Sequence, residues 1–128
     1  DAVGVARRLR NLGFRLVATR GTADALMAAH IPCEVVNKVQ MGSPHVVDAI
    51  AEGTIQLVVN TTQGLKSIRD SYAIRRNALL ANIPYFTTMA AAVAATAALE
   101  AHELNKGQTV QVRSLQEWHR RSLDSVQP

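Results

Sequence analysis

The sequence has little cysteine, few aromatic residues and no long apolar run. The single cysteine, Cys33, cannot form an internal disulfide and belongs to no pair with metal-ligand spacing, which fits a small, partly buried side chain in a reducing, cytosolic setting. Aromatic residues are 4% of the chain, so it lacks the basic patch interleaved with aromatics that is typical of nucleic-acid binders. The Ala-rich stretch from Met89 to Leu99 is shorter than the roughly 20 residues of a membrane span. We therefore expect neither nucleic acid nor a membrane as partner.

The composition otherwise fits one compact domain. The chain has 128 residues, 48% of them hydrophobic, which suffices for a single core. The net charge is +4, and the excess is local, with an arginine-rich segment between Arg7 and Arg20 and a pair at Arg120 and Arg121. We interpret the first segment as a helix face that is solvated or meets another protein surface.

Helical and strand patterns alternate along the chain, which favours a parallel sheet covered by helices on both faces. The predicted fold is therefore α/β, a three-layer α/β/α arrangement with a mainly parallel open sheet. The predicted helices are 2–12, closed by Gly13, then 22–29, 43–51 with Ser43 as cap and Pro44 in the first turn, 67–82, 89–102 and a last one from Leu115. The predicted strands are 14–18, 34–36, 55–60, 84–86 and 110–113. Because the chain opens inside a helix, we expect the first strand of the sheet to lie upstream of residue 1.

Small polar residues follow four of the predicted strands. These segments are Thr19-Arg20-Gly21-Thr22, Asn37-Lys38, Asn60-Thr61-Thr62-Gln63-Gly64 and Thr87-Thr88. Ligands of open α/β sheets bind outside the carboxyl ends of the strands, and helix N-termini there favour a phosphate or carboxylate. Taken singly, Thr22 could be only a helix cap and the Asn-Thr run only a turn. Their repetition at successive strand ends predicts a phosphate site.

Five motifs in one order resemble a known family. ATRGTA (18–23), VNKV (36–39), NTTQG (60–64), DSxxIRR (70–76) and YFTT (85–88) are similar to the C-terminal allosteric domain of the large subunit of carbamoyl-phosphate synthase, which has the methylglyoxal-synthase-like fold. The resemblance covers residues 1–120 and leaves 121–128 as a C-terminal tail. It implies a regulatory domain, without catalytic residues or a cofactor of its own, in a ligase that makes carbamoyl phosphate for arginine and pyrimidine biosynthesis.

The resemblance also implies effectors and the residues that bind them. In this family UMP inhibits and IMP activates, and ornithine binds between this domain and its neighbour. The implied phosphate-binding residues are Thr19, Thr22, Lys38, Asn60, Thr61 and Thr62. The implied base pocket is Val39, Val46, Asp70, Ala73 and Ile74, and Thr87 is the implied ornithine-facing residue. Leu65, with Lys66 beside it, stands where the family often carries an arginine.

The implied partners are the rest of the large subunit and the small glutaminase subunit, in a cytoplasmic and oligomeric parent enzyme that uses ATP, Mg²⁺ or Mn²⁺, and K⁺. Two alternatives stay open. One is a lyase like methylglyoxal synthase, which acts on dihydroxyacetone phosphate and needs a general base; the matching stretch from Met41 to His45 has no carboxylate, and His45 could be proposed instead. The other is an oligomerisation module that binds no effector.

Overall fold

Helices and short strands alternate along the chain in the computed structural model, which describes residues 2–61, 65–107 and 112–124, without the side chains of 65–70 and 121–124. The α-helices are Ala2–Asn11 (α1), Arg20–Ala28 (α2), Val46–Ala51 (α3), Leu65–Leu80 (α4), Met89–Leu104 (α5) and Leu115–Asp124 (α6), and a 3₁₀ helix spans Val39–Met41. The strands are Val17–Thr19 (β1), Glu34–Val36 (β2), Val58–Val59 (β3) and Tyr85–Phe86 (β4). Of the helices described, none is long and apolar enough to cross a bilayer.

The strands form two parallel pairs. β1 pairs with β2, with Thr19 opposite Val36, and β3 pairs with β4, with Val58 opposite Tyr85. Among the described residues, the two pairs share no ladder hydrogen bonds. The predicted α/β class and the parallel direction of the strands are confirmed.

The β3–β4 pair lies between two layers of helices. Successive residues of a strand face opposite sides of a sheet, and each strand of this pair contributes one residue to each side. Val58 and Tyr85 pack with Ile50 of α3 and Ile74 of α4. Val59 and Phe86 pack on the other side, against a cluster formed by α1 and α5 whose buried residues are Val5, Leu9 and Ala92. The layered arrangement expected from the sequence is therefore present around this pair.

Helix α1 packs against side chains from both strand pairs. Its Ala6 belongs to a cluster with Leu26 and Ile31 that also receives side chains from the β1 region. Leu16, just before β1, packs against this cluster and also against the α1–α5 cluster. Arg8 adds a bidentate ion pair to α5, because its Nε lies 2.8 Å and its Nη2 2.6 Å from the carboxylate oxygens of Glu100. This pair lowers the pKa of the Glu100 carboxyl and raises that of the Arg8 guanidinium.

Most predicted helices are confirmed with small shifts, whereas two strands were predicted too long or out of place. The predicted strand 55–60 shrinks to Val58–Val59, because Thr54 Oγ1 donates to Ala49 O and Gln56 Nε2 to Gly53 O, which holds 54–56 at the end of α3. The predicted strand 14–18 becomes Val17–Thr19, since the Phe14 N–H still donates to Leu9 O of α1. The predicted strand 110–113 lies partly outside the described residues, and its last two residues are not in a strand.

The predicted start of the third helix was wrong. The cap is His45 rather than Ser43: the His45 side chain accepts from the Asp48 N–H, and the Asp48 carboxylate accepts from the His45 N–H, as a reciprocal capping box. Ser43 instead donates its hydroxyl to the Asp48 carboxylate at 2.7 Å. The carboxylate of Asp48, the third residue of the helix, fixes this start because it accepts the backbone N–H of His45, three residues earlier, at 2.8 Å.

Candidate functional site

The end of the β1–β2 pair carries three of the predicted phosphate residues. Thr19 ends β1 and occupies the cap position of α2, but its side chain makes no capping hydrogen bond. Thr22 is exposed inside the first turn of α2, so the interpretation of Thr22 as a helix cap was wrong. Lys38 follows β2 by two residues and is exposed. Because Thr19 is opposite Val36 in the ladder, the α2 N-terminus and Lys38 leave the same edge of this pair.

The end of the β3–β4 pair holds a network of three polar side chains. Asn60 follows β3, and its N–H donates to Phe86 O at 2.9 Å, which continues the ladder past the strand. Its side-chain Nδ2 donates to the Tyr85 hydroxyl at 2.9 Å, and Ser71 Oγ lies 3.2 Å from the same hydroxyl oxygen. Asn60 is therefore held at the strand end by backbone and side chain together. Thr61 beside it is exposed, and Thr62 lies outside the described residues.

Helix α5 follows β4 after only two residues, Thr87 and Thr88. Thr88 caps it, with its Oγ1 accepting the Ala91 N–H at 3.1 Å. Thr87, the residue with the predicted ornithine contact, is exposed between the strand and this cap. The N-terminus of a helix that follows a strand presents unpaired backbone N–H groups and a partial positive charge at the end of that strand. The same holds for α2, which starts at Arg20 immediately after β1.

The predicted base pocket is brought together only in part. Val46, the first residue of α3, packs against the cluster that contains Ile74 of α4, so these two side chains share one apolar wall. Val39 is half-buried in the 3₁₀ helix, and Ala73 is half-buried on α4. The side chain of Asp70 lies outside the described part of the chain. An open depression of about 590 Å³ is found elsewhere, beside α6, where Arg113, Ser114, Leu115 and Trp118 line it.

Two members of the network were missed by the sequence analysis. Tyr85 and Ser71 fall within the quoted motifs, but no role was assigned to either. The available signal was Tyr85 itself, because a tyrosine in a strand packed between helices needs a hydrogen-bond partner for its hydroxyl. Ser71 supplies one such partner from α4, where it is buried.

The start of α3, where the lyase alternative would place its base, is occupied by capping contacts. His45 Nδ1 lies 3.3 Å from the Asp48 N–H, from which it accepts, and 3.1 Å from Asp48 Oδ2. The fold brings this carboxylate back to the helix start, which the sequence stretch 41–45 did not reveal. The hydrogen bonds from the Ser43 hydroxyl and from the His45 N–H lower the pKa of the Asp48 carboxyl. Asp48 is consequently a weaker base than an ordinary aspartate.

Comparison with known proteins relates the chain to one domain family and to large chains of carbamoyl phosphate synthase. The "MGS-like domain" family model matches residues 1–87. The chain is 52% identical over 121 residues to the "Carbamoyl phosphate synthase large chain, C-terminal section" of Methanopyrus kandleri, covering 94% of this chain and 22% of that protein. It is 50% identical over 117 residues to the carbamoyl phosphate synthase large chain of Halomonas eurihalina, covering 91% of this chain and 10% of that protein. For the large chain of Methanothermobacter thermautotrophicus the identity is 45% over 115 residues, or 90% of this chain and 10% of the other.

The chain therefore spans between a tenth and about a fifth of the length of these relatives. The family model covers every predicted site residue from Thr19 to Thr87. With that match over more than half of its residues, the chain belongs to the MGS-like domain family.

Proposed function

We propose that this chain is the regulatory C-terminal section of a carbamoyl phosphate synthase large chain, and that it binds nucleoside monophosphates at its strand ends. UMP is the proposed inhibitor and IMP the proposed activator. The observation that carries the proposal is the fixed Asn60 amide at the end of β3, because such a side chain is a ready donor to a phosphate. The similarity to the large chains over 90–94% of this chain supports the proposed context.

The phosphate would be held by groups of three kinds. Asn60 and Thr61 offer neutral amide and hydroxyl donors, and Lys38 offers a compact positive charge. The N-terminus of α2, with Thr19 and Thr22 beside it, offers backbone N–H groups that favour an anion. Thr62 completes the proposed set from its place in the sequence.

The base would lie against the apolar wall between α3 and α4. Val46 and Ile74 already share a packed cluster there, and ligand pockets combine such apolar walls with a few polar groups. Val39 and Ala73 are the proposed further contacts, and Asp70 is the proposed polar one. An apolar wall of this kind would accept either a pyrimidine or a purine, which fits two effectors that share their phosphate.

Further features of the proposal concern the parent enzyme. Thr87, exposed after β4, would face ornithine at the boundary with the neighbouring domain. The proposed partners are the remainder of the large chain and the small glutaminase subunit, in a cytoplasmic, oligomeric ligase of arginine and pyrimidine biosynthesis that uses ATP, Mg²⁺ or Mn²⁺, and K⁺. The domain itself would use no cofactor and perform no catalysis. The capping role of His45 supports this, since its Nδ1 already accepts a backbone N–H.

The test is an effector titration of the intact synthase with UMP and IMP, using uridine and inosine as matched ligands without phosphate. We expect UMP and IMP to compete for one site and each nucleoside to bind far more weakly, because the phosphate supplies the charge-assisted contacts. Equal binding of uridine and UMP would contradict a phosphate site. Absence of any binding would favour the alternative of an oligomerisation module that binds no effector.

A further inference from the structure

Tyr85 contacts Asn60 in a way that bears on how the proposed phosphate site is built. The Tyr85 hydroxyl accepts from Asn60 Nδ2 at 2.9 Å and lies 3.2 Å from Ser71 Oγ. Since Asn60 donates to Tyr85, the hydroxyl proton of Tyr85 can go to Ser71. The three side chains thus form one hydrogen-bonded chain that runs from the end of β3, through β4, into α4.

The Tyr85 hydroxyl is held in place from several directions. Its ring packs against the buried cluster of Ile50, Val58 and Ile74. The guanidinium of Arg75 stands 5.8 Å from the ring centroid, within the range of a cation–π contact. Ser71, which is 5% exposed, fixes the oxygen from the side of α4. A hydroxyl anchored in this way can fix a side chain that is hydrogen-bonded to it.

The amide of Asn60 is such a group. The terminal torsion of an asparagine is broad and nearly two-fold, so a free amide at a strand end can present either its oxygen or its nitrogen to a ligand. A phosphate accepts hydrogen bonds, so only the nitrogen is useful to it. The bond to Tyr85 uses one amide hydrogen and leaves the second, and among the described residues no other partner of this amide is found.

We propose that Tyr85 is a positioning residue of the effector site, which holds the Asn60 amide at the end of β3 so that its second amide hydrogen can donate to a nucleotide phosphate. This inference rests on the proposed function, because it assumes that Asn60 meets the phosphate. Tyr85 itself does not touch the ligand. Its contribution is preorganisation, which improves affinity by reducing the ordering cost of binding.

The experiment is a double-mutant cycle on the intact synthase, read as the dissociation constants of UMP and IMP. Tyr85→Phe removes only the hydroxyl and should weaken both nucleotides by about two- to tenfold, the range of one neutral hydrogen bond. In an Asn60→Ala background the same change should have no further effect, because the amide that Tyr85 orients is gone. Tyr72→Phe is the matched control, since Tyr72 is the chain's other tyrosine and is 70% exposed on α4.

A purely structural role for Tyr85 would give a different pattern. Affinity would then fall equally with and without Asn60, together with the melting temperature, and this result would overturn the inference. Unchanged affinity in Tyr85→Phe would overturn it as well. If Tyr85→Phe does not fold, Ser71→Ala replaces it in the cycle; it frees the Tyr85 hydroxyl and should weaken binding only when Asn60 is present.

The same experiment distinguishes failure of the proposed effector site from failure of the proposed role of Tyr85. Wild-type enzyme that binds neither nucleotide, or an Asn60→Ala variant with wild-type affinity, would reject the phosphate site and the inference with it. Wild-type binding that is lost in Asn60→Ala but kept in Tyr85→Phe would reject the role of Tyr85 alone.

Discussion

Replacement of Lys38 by alanine tests the charge of the proposed phosphate site. Lys38 is exposed after β2, at the start of the 3₁₀ helix. Its backbone carbonyl accepts from the Met41 N–H at 2.9 Å, and an alanine keeps that bond. The ion pairs found among the described residues do not involve Lys38. The substitution therefore removes an ammonium group and leaves the local backbone in place.

The expected size of the effect follows from the kind of contact. A hydrogen bond to a charged group contributes about 1.5–3 kcal/mol, which corresponds to roughly ten- to hundredfold in affinity. Because Lys38 is exposed and salt screens exposed charges over about 8 Å at physiological ionic strength, we expect the lower part of this range. UMP and IMP should weaken by the same factor, since they share the phosphate.

The assay is a titration of the proposed synthase in its intact form, wild type against Lys38→Ala, with UMP, IMP and ornithine at two salt concentrations. Lys106→Ala is the matched control, because Lys106 is an exposed lysine that pairs with Glu103 on α5, away from the strand ends. The nucleotide affinity of wild type should fall more steeply with salt than that of Lys38→Ala. Unchanged nucleotide affinity, or an equal loss of the ornithine response, would show that Lys38 does not bind the phosphate.

The fold could be predicted from local signals to a large extent. Gly13 marks the end of α1 because its φ of 90° suits a residue without a side chain, and this signal is legible in the sequence. Strand lengths were less predictable. Thr54 and Ile55 are β-branched, as is typical of a strand, yet Thr54 hydrogen-bonds back to Ala49 of α3 and Gln56 to Gly53 just after it. Whether such residues extend a strand or hydrogen-bond to the preceding helix depends on side-chain contacts that composition does not encode.

The candidate site, like the fold, could be predicted from the sequence only in part. Asn60 was predictable because it follows an apolar strand directly. Its bond to Tyr85 was not, because that contact depends on the register of β3 and β4. Val58 lies opposite Tyr85, and Asn60, two residues beyond Val58, shares its face of the sheet. A shift of one residue would have turned Tyr85 away.

Three further predictions concern the core and the start of α3. Ile50→Ala should destabilise the chain by about 2–5 kcal/mol, because Ile50 is 1% exposed, whereas Leu80→Ala, at a side chain 72% exposed, should change the melting temperature little. The pKa of the Asp48 carboxyl is lowered in the folded chain, so the ionised carboxylate stabilises the fold at pH values above the ordinary pKa of 3.8. This contribution is lost as the pH falls below that value. Asp48→Asn should therefore flatten that part of a profile of melting temperature against pH. Finally, dihydroxyacetone phosphate should yield no methylglyoxal above the spontaneous rate even at high protein concentration. The carboxylate and the imidazole near that helix start are both engaged in capping α3, and the hydrogen bonds that lower the pKa of Asp48 also reduce its basicity. Turnover well above background that disappears in His45→Ala would show that the imidazole leaves its cap to act as a base, and the regulatory assignment would then be wrong.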